Sequence, residues 1–299
     1  MQDIYEKIVS EKHIGKETNP INQYDIFSLA SDYARNNSNN KSNGIGLVIV
    51  DIQRDFIDPK RGALPVKGAV KDVKKIIRFI YENLSEIYGI YVSMDTHYYD
   101  SIFHPYMWKK PNGEDVDSFT EITLEKINKH EIIPLFKKEQ IEYVKKLEEE
   151  SENKLIIWPY HCLHGTDGWL IEKQLNNMLL FFERAKGTNI NKIIKGAERF
   201  TEMFGAIRPE VTTSETRFFD MAWIYELKNY KEIYICGESK DFSLYETVSQ
   251  LCDMYSGDKH ITKKINVMIN CSSSIGDNSK TNKKYEKLSK TYGIKLLEV

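Results

Sequence analysis

No stretch of this 299-residue chain approaches the run of ~20 apolar residues that a membrane-crossing helix needs. The opening residues, MQDIYEKIVSEK, lack the apolar core of a secretory leader. Net charge is nearly absent: 42 basic residues stand against 44 acidic ones, a formal −2. The basic residues are spread along the chain, which argues against a nucleic-acid surface or a polybasic membrane anchor. Cysteine is scarce. Cys162, Cys236, Cys252 and Cys271 show no CxxC spacing, so neither a disulfide framework nor a clustered cysteine–zinc site is indicated. Reduced thiols in a cytoplasmic protein are the expectation, with no membrane and no nucleic acid as partner. There is no internal repeat.

What is present is an alternation. After a start with partial helical periodicity, the polar stretch from Asn36 to Gly44 reads as a linker. Short apolar, β-branched runs at 46–53, 87–95, 154–159, 191–196, 232–237, 265–270 and 294–298 read as strands. Helical patterns fall between them at 66–84, 138–153, 169–182, 215–230, 241–255 and 280–291. Such alternation predicts an α/β fold with a mostly parallel sheet covered by helices on both sides. Function in such sheets gathers beyond the carboxyl ends of the strands. Asp51, Asp95, His161, Lys195 and Ser243 all fall at or just past such ends.

Each of these has a chemical reading and a plain one. Asp51 ends an apolar strand, where a carboxylate is costly to bury unless it is paired; a turn or cap aspartate would fit as well. Lys195 could pair with Asp51, or be one more surface lysine. Asp95 and His97, two residues apart after a strand, suit a divalent metal together with His161 at the next run, with His104 as an optional fourth ligand. Hydrogen-bonded loop residues would give the same spacing. Ser243 opens a helix, a position for a nucleophile facing backbone N–H groups and equally for an ordinary N-cap.

The blocks VIVDIQRDFIDPKRGALPVKGA, SMDTHYYDSIFHPYMW, WPYHCLHGTDGW, IIKGAERFTEMFGAIRPEV and ICGESKDFSLYETV, in this order, resemble the isochorismatase-like hydrolases, and the nicotinamidase-like branch in particular. The resemblance covers residues 45 to 298 and implies a three-layer α/β/α, Rossmann-like fold with a mostly parallel six-stranded sheet. The division is then a helical extension with its Asn-rich linker over 1–44 and a hydrolase domain over 45–299. It also implies Asp51 and Lys195 as catalytic residues, with Lys186 a rival that does not end an apolar strand. Asp95, His97 and His161, with His104 optional, match the metal ligands. The metal expected is divalent, zinc first, with iron or manganese also suited. Phe56 and Trp158 match aromatic residues lining a ring pocket, although core packing would also explain them. An oxyanion hole beside a cis peptide would use the N–H groups of Ser239 and Ser243.

The family pattern G-x-x-x-x-x-C becomes Gly237…Ser243 here, so serine stands where the nucleophilic cysteine is expected. A hydroxyl is a far weaker acid than a thiol of pKa ~8.5, and a lone carboxylate is a poor base for it. The implied function is metal-dependent hydrolysis of a small, nicotinamide-like amide to acid and ammonia, impaired by Ser243 or adapted to it. A cysteine-to-serine variant, a silent small-molecule binder and a vinyl-ether hydrolase of the isochorismatase type are the alternatives. A homo-oligomer is expected.

Overall fold

The computed structural model describes residues 2–37, 43–151, 153–213, 216 and 221–299. Six strands form one sheet: β1 (Ile45–Val50), β2 (Ile87–Asp95), β3 (Asn191–Lys195), β4 (Glu232–Gly237), β5 (Ile265–Met268) and β6 (Lys295–Leu297). Their order is β6-β5-β4-β1-β2-β3, and every pairing is parallel. The expected mostly parallel sheet is therefore entirely parallel among the described residues.

Alternation along β1 builds the layers. Leu47 and Ile49 face one core, together with the helices α3 (Ala69–Glu82) and α5 (Lys173–Lys186). Val48 and Val50 face the other, together with α6 (Ser243–Met254) and α7 (Asn278–Tyr292). All four side chains are fully buried, as a parallel strand covered on both faces requires. On α3, Val73, Ile76, Ile77 and Ile80 recur at helical spacing and are fully buried. The helix α4 (Lys137–Glu150) adds Tyr143, Val144 and Leu147 to the first core.

The N-terminal helices α1 (Gln2–Ile8) and α2 (Gln23–Asn36) add buried residues such as Ile8 and Ile26 to that first core. A buried polar seam also fastens this segment to α5. Glu172 caps α5 through the N–H groups of Gln174 and Leu175 and accepts the Gly15 N–H at 3.2 Å. Its own N–H donates to Ile52 O at 2.9 Å, next to Asp51.

Several elements differ from the sequence reading. The run at 154–159 contributes only Leu155–Ile156, paired antiparallel with Glu121–Ile122 outside the main sheet. The apolar residues that follow, Ile157 and Trp158, are buried in a loop whose N–H groups donate to Thr120 O and Phe103 O. Helix α5 begins and ends later than the 169–182 pattern suggests, because Glu172 supplies its cap and Gly187 its left-handed stop. The helix read over 215–230 is Ala222–Leu227, and its start falls largely outside the described residues. The same holds for the middle of the Asn-rich linker.

Candidate active site

β1 lies between β2 and β4; the chain passes from β1 to β2 and from β4 to β5, toward opposite edges of the sheet. Sheets of this type open a crevice at such a reversal of strand order. Asp51 follows β1 directly and adopts a left-handed conformation (φ 48°), sparse for a non-glycine residue. Its carboxylate is fully buried and bonded on one side only: Ser93 Oγ, on β2, donates to Oδ1 at 2.6 Å. Oδ2 meets Lys195 Nζ at 2.8 Å, but off the hydrogen-bonding direction, so it has no directed donor among the described residues.

Lys195 ends β3, in register with Asp95 at the end of β2. Its ammonium pairs with both Asp51 and Asp95, and Met203 O lies 3.3 Å away. One buried cation between two carboxylates leaves one excess negative charge, and the two acids respond differently. Burial, opposed by Lys195, raises the Asp51 carboxyl to about 6. The same burial acts on Asp95, but Lys195 and then His97 outweigh it and hold Asp95 below the usual range. Lys195 itself is driven up by the two carboxylates against its burial, and stays charged.

Asp95, His97 and His161 bring their ligand atoms within 4.8 Å of one another, all buried. His97 Nδ1 donates to Gly196 O (3.0 Å) and His161 Nδ1 to Pro159 O (2.8 Å). These bonds turn each Nε2 into the pocket, where a neutral ring would offer its lone pair to a cation. Burial, then His97, lowers His161 to about 3, so its ring is neutral, as a ligand must be. A Cβ on Gly196, whose φ is 72°, would stand 2.5 Å from His97 Cε1, so the imidazole rests against bare backbone. Asp95 raises His97 against its burial, so that ring must give up a proton to ligate. An anionic oxygen with two imidazoles, closed toward one another in a buried pocket, fits a divalent ion. His104 stands beside this trio rather than in it. Its ring centroid is 6.0 Å from those of His97 and His161, and its Nδ1 donates to Tyr98 O.

The segment after β4 supplies the opposite wall. Gly237 is paired with Val50, at a φ of 129°, and any side chain there would strike the Val50 backbone. Glu238 N–H donates to Val50 O at 2.9 Å, and the Glu238–Ser239 peptide is cis, as the resemblance implied. Ser239 and Ser243 are both buried, and among the described residues neither N–H has an acceptor. For Ser243, at the start of α6, a free N–H is ordinary; for Ser239, outside any helix, it is not. Among the described residues Ser243 Oγ likewise has no partner, so it is not hydrogen-bonded to Asp51.

Trp158 packs edge-on against Phe242 (5.4 Å) and Phe204 (6.4 Å), which touch each other, and Phe119 covers its outer side. Phe56 stacks edge-on against His161 at 5.5 Å. Lys186 lies elsewhere: it ends α5 and donates to Leu84 O. Cavities of about 600 and 730 Å³ lie elsewhere, beside α7 and beside α1, and one of about 430 Å³ is lined by Lys195, Gly196 and Met203; Asp51 and Asp95 themselves are buried.

Sequence reasoning missed Ser93, Gln53, Asp55, Phe204 and Phe242. Gln53 clamps the backbone of Asp95 from both sides, accepting its N–H and donating to its carbonyl at 2.7 Å each. Asp55 accepts the N–H of Cys162, the neighbour of His161, at 2.7 Å. The alternation of Ser93 with Asp95 along one strand face was the one available signal; the others depend on loop paths.

No family model and no curated protein sequence matches this chain. Solved structures do. The yeast nicotinamidase Pnc1p bound to the inhibitor nicotinaldehyde superposes with a TM-score of 0.60 at 19% identity, over 85% of this chain and 100% of that one. The chain has the nicotinamidase fold. The Acinetobacter baumanii nicotinamidase gives 0.58 at 16%, over 87% and 98%. The L. infantum enzyme PnC1, in complex with nicotinate, gives 0.52 at 16%, over 86% and 93%. The three-layer architecture read from the sequence is thus that of these nicotinamidases.

Proposed function

We propose that the chain is a hydrolase of small amides, acting on a flat, nicotinamide-like substrate through Asp51, Lys195 and Ser243. The observation that carries this reading is the buried Asp51–Lys195–Asp95 group at the strand ends. A buried ammonium between two carboxylates costs several kcal/mol to desolvate and serves no evident packing purpose. In this reading Asp51 takes the Ser243 proton on Oδ2, the oxygen with no directed donor. Ser243 Oγ adds to the amide carbon, and the N–H groups of Ser239 and Ser243 hold the resulting oxyanion. Asp51 then returns the proton to the departing nitrogen, ammonia leaves, and water cleaves the ester. Lys195 keeps its charge throughout and holds Asp51 in place. Trp158, Phe204, Phe242 and Phe56 would bound the ring. Asp95, His97 and His161 would hold a divalent ion, zinc first, which when bound supplies a Lewis acid and an anchor for a ring nitrogen or a water. Residues 45–299 would form the hydrolase domain, with 1–44 its extension.

A second reading rests on one observation: Ser243 Oγ is not hydrogen-bonded to its base. A binder that no longer turns its ligand over would show this, although catalytic hydrogen bonds are often slack without substrate. Ammonia release from nicotinamide by the parent chain and by Ser243→Cys decides between them. Turnover in either supports the hydrolase; silence in both, with nicotinamide still bound, supports the binder; silence without binding sinks both.

A further inference from the structure

The loop between Gly237 and Ser243 is held from behind by the turn that follows β5. Gly237 N–H donates to Cys271 O, Lys240 N–H to Ser273 O at 2.9 Å, and Ser273 N–H to Glu238 Oε2 at 3.0 Å. Asp241 accepts the N–H groups of Ile275 and Gly276. At the centre of this contact sits Glu238, fully buried. Its other oxygen, Oε1, has no partner among the described residues. Asp72, on α3, meets it at Ser273: Asp72 Oδ2 accepts Ser273 Oγ at 2.5 Å while Glu238 Oε2 accepts the N–H of the same residue, which brings the two carboxyls together.

Two ionised carboxylates cannot share such a site: the orphaned oxygen would be a buried anion facing a second anion. A proton on Glu238 resolves both difficulties, because Oε1–H becomes a donor to Asp72 while Oε2 still accepts from Ser273. We propose that Glu238 is a positioning residue: one proton shared between Glu238 and Asp72 latches the Gly237–Ser243 loop to α3 and so fixes the Ser239 N–H. That the latched N–H serves an oxyanion rests on the hydrolase reading; the latch itself does not. Burial first, then Asp72, pushes the Glu238 carboxyl well above the usual carboxylate range, and Asp72 too is raised by burial. The other charged or titratable groups facing the pair are Asp241 and Lys240 on the loop, Lys75 on α3, Tyr285 on α7 and the thiols of Cys236 and Cys271. Neither lysine ion-pairs with Glu238. Lys75 Nζ is bonded to Asn270 O and Lys240 Nζ to Asn278 Oδ1.

A carboxyl raised in the folded state stabilises it below its unfolded pKa, and that contribution is lost as pH rises through the folded value. Opening the loop between those limits releases one proton. The opening constant therefore climbs roughly tenfold per pH unit, on top of the intrinsic rise in amide exchange. Hydrogen exchange of the Ser239–Ser243 amides, followed from pH 5 to 8 in the full chain, tests this. The parent is expected to show the doubled slope. Glu238→Gln, which keeps a donor toward Asp72 and an acceptor toward Ser273, is expected to show only the intrinsic slope. Asp72→Asn should move the steep window to lower pH. An intrinsic slope in the parent, or a doubled slope retained in Glu238→Gln, overturns the latch. Should Glu238→Gln fail to fold, the parent slope alone decides. A doubled slope with no amidase activity would keep the latch and sink the hydrolase reading.

Discussion

The two walls of the site are built on different principles. At the ends of β2 and β3, Asp95, His97 and Lys195 are side chains locked by one another, each charge answered by a neighbour within a few ångströms. At the end of β4, the groups that the proposed reaction would use are backbone N–H donors, and the side chains nearby hold the loop from behind. A wall of mutually compensating charges tolerates no single change. A wall of backbone geometry tolerates a different atom at its tip, and it is there that serine replaces the expected cysteine.

The largest expected effect tests the first wall. Lys195→Met strands Asp51 and Asp95 as buried, unpaired carboxylates and should cost about 3–5 kcal/mol in urea unfolding; a loss below about 1 kcal/mol would mean that the charges are not coupled. Ser243→Cys tests the second wall. Ammonia release should rise by roughly 10²-fold, the scale of a general-base contribution that a carboxylate supplies poorly to a hydroxyl, while the melting temperature stays unchanged. A third experiment asks whether the charged wall is a cation site. Zinc at about 100 times its dissociation constant should stabilise the parent by about 2.7 kcal/mol and do so much less in His161→Ala; equal stabilisation of both would place the ion elsewhere. The smallest effect is on pH. With Asp51 raised to about 6, turnover should climb through that region as the base loses its proton. Because that pKa is raised in the folded state, its contribution to stability falls over the same range. An activity profile flat from pH 5 to 7 would remove Asp51 as the base.

The charged wall was largely legible in the sequence, and the backbone wall was not. Asp51, Asp95 and Lys195 announce themselves because polar residues end apolar runs, and β1 and β2 were readable because their side chains are buried on both faces. The run at 154–159 carries the same signal for another reason: Ile157 and Trp158 are buried by loop packing, and periodicity cannot distinguish a core loop from a core strand. Phe204 and Phe242 join Trp158 only through the paths of two loops. Glu238 falls between the run at 232–237 and the helical pattern at 241–255, and its partners Asp72 and Ser273 are 166 and 35 residues away respectively by their numbers.

Gly196 gives the charged wall a vulnerability of its own. The ring of His97 occupies the volume where any larger residue at 196 would place its first carbon. Exchanging that glycine for alanine deletes no ligand and no charge, yet it would tip an imidazole away from its two companions. A site for an ion, were His97 one of its ligands, could thus be lost through a position that contributes no chemistry to it, and an inventory of ligands alone would overlook the cause.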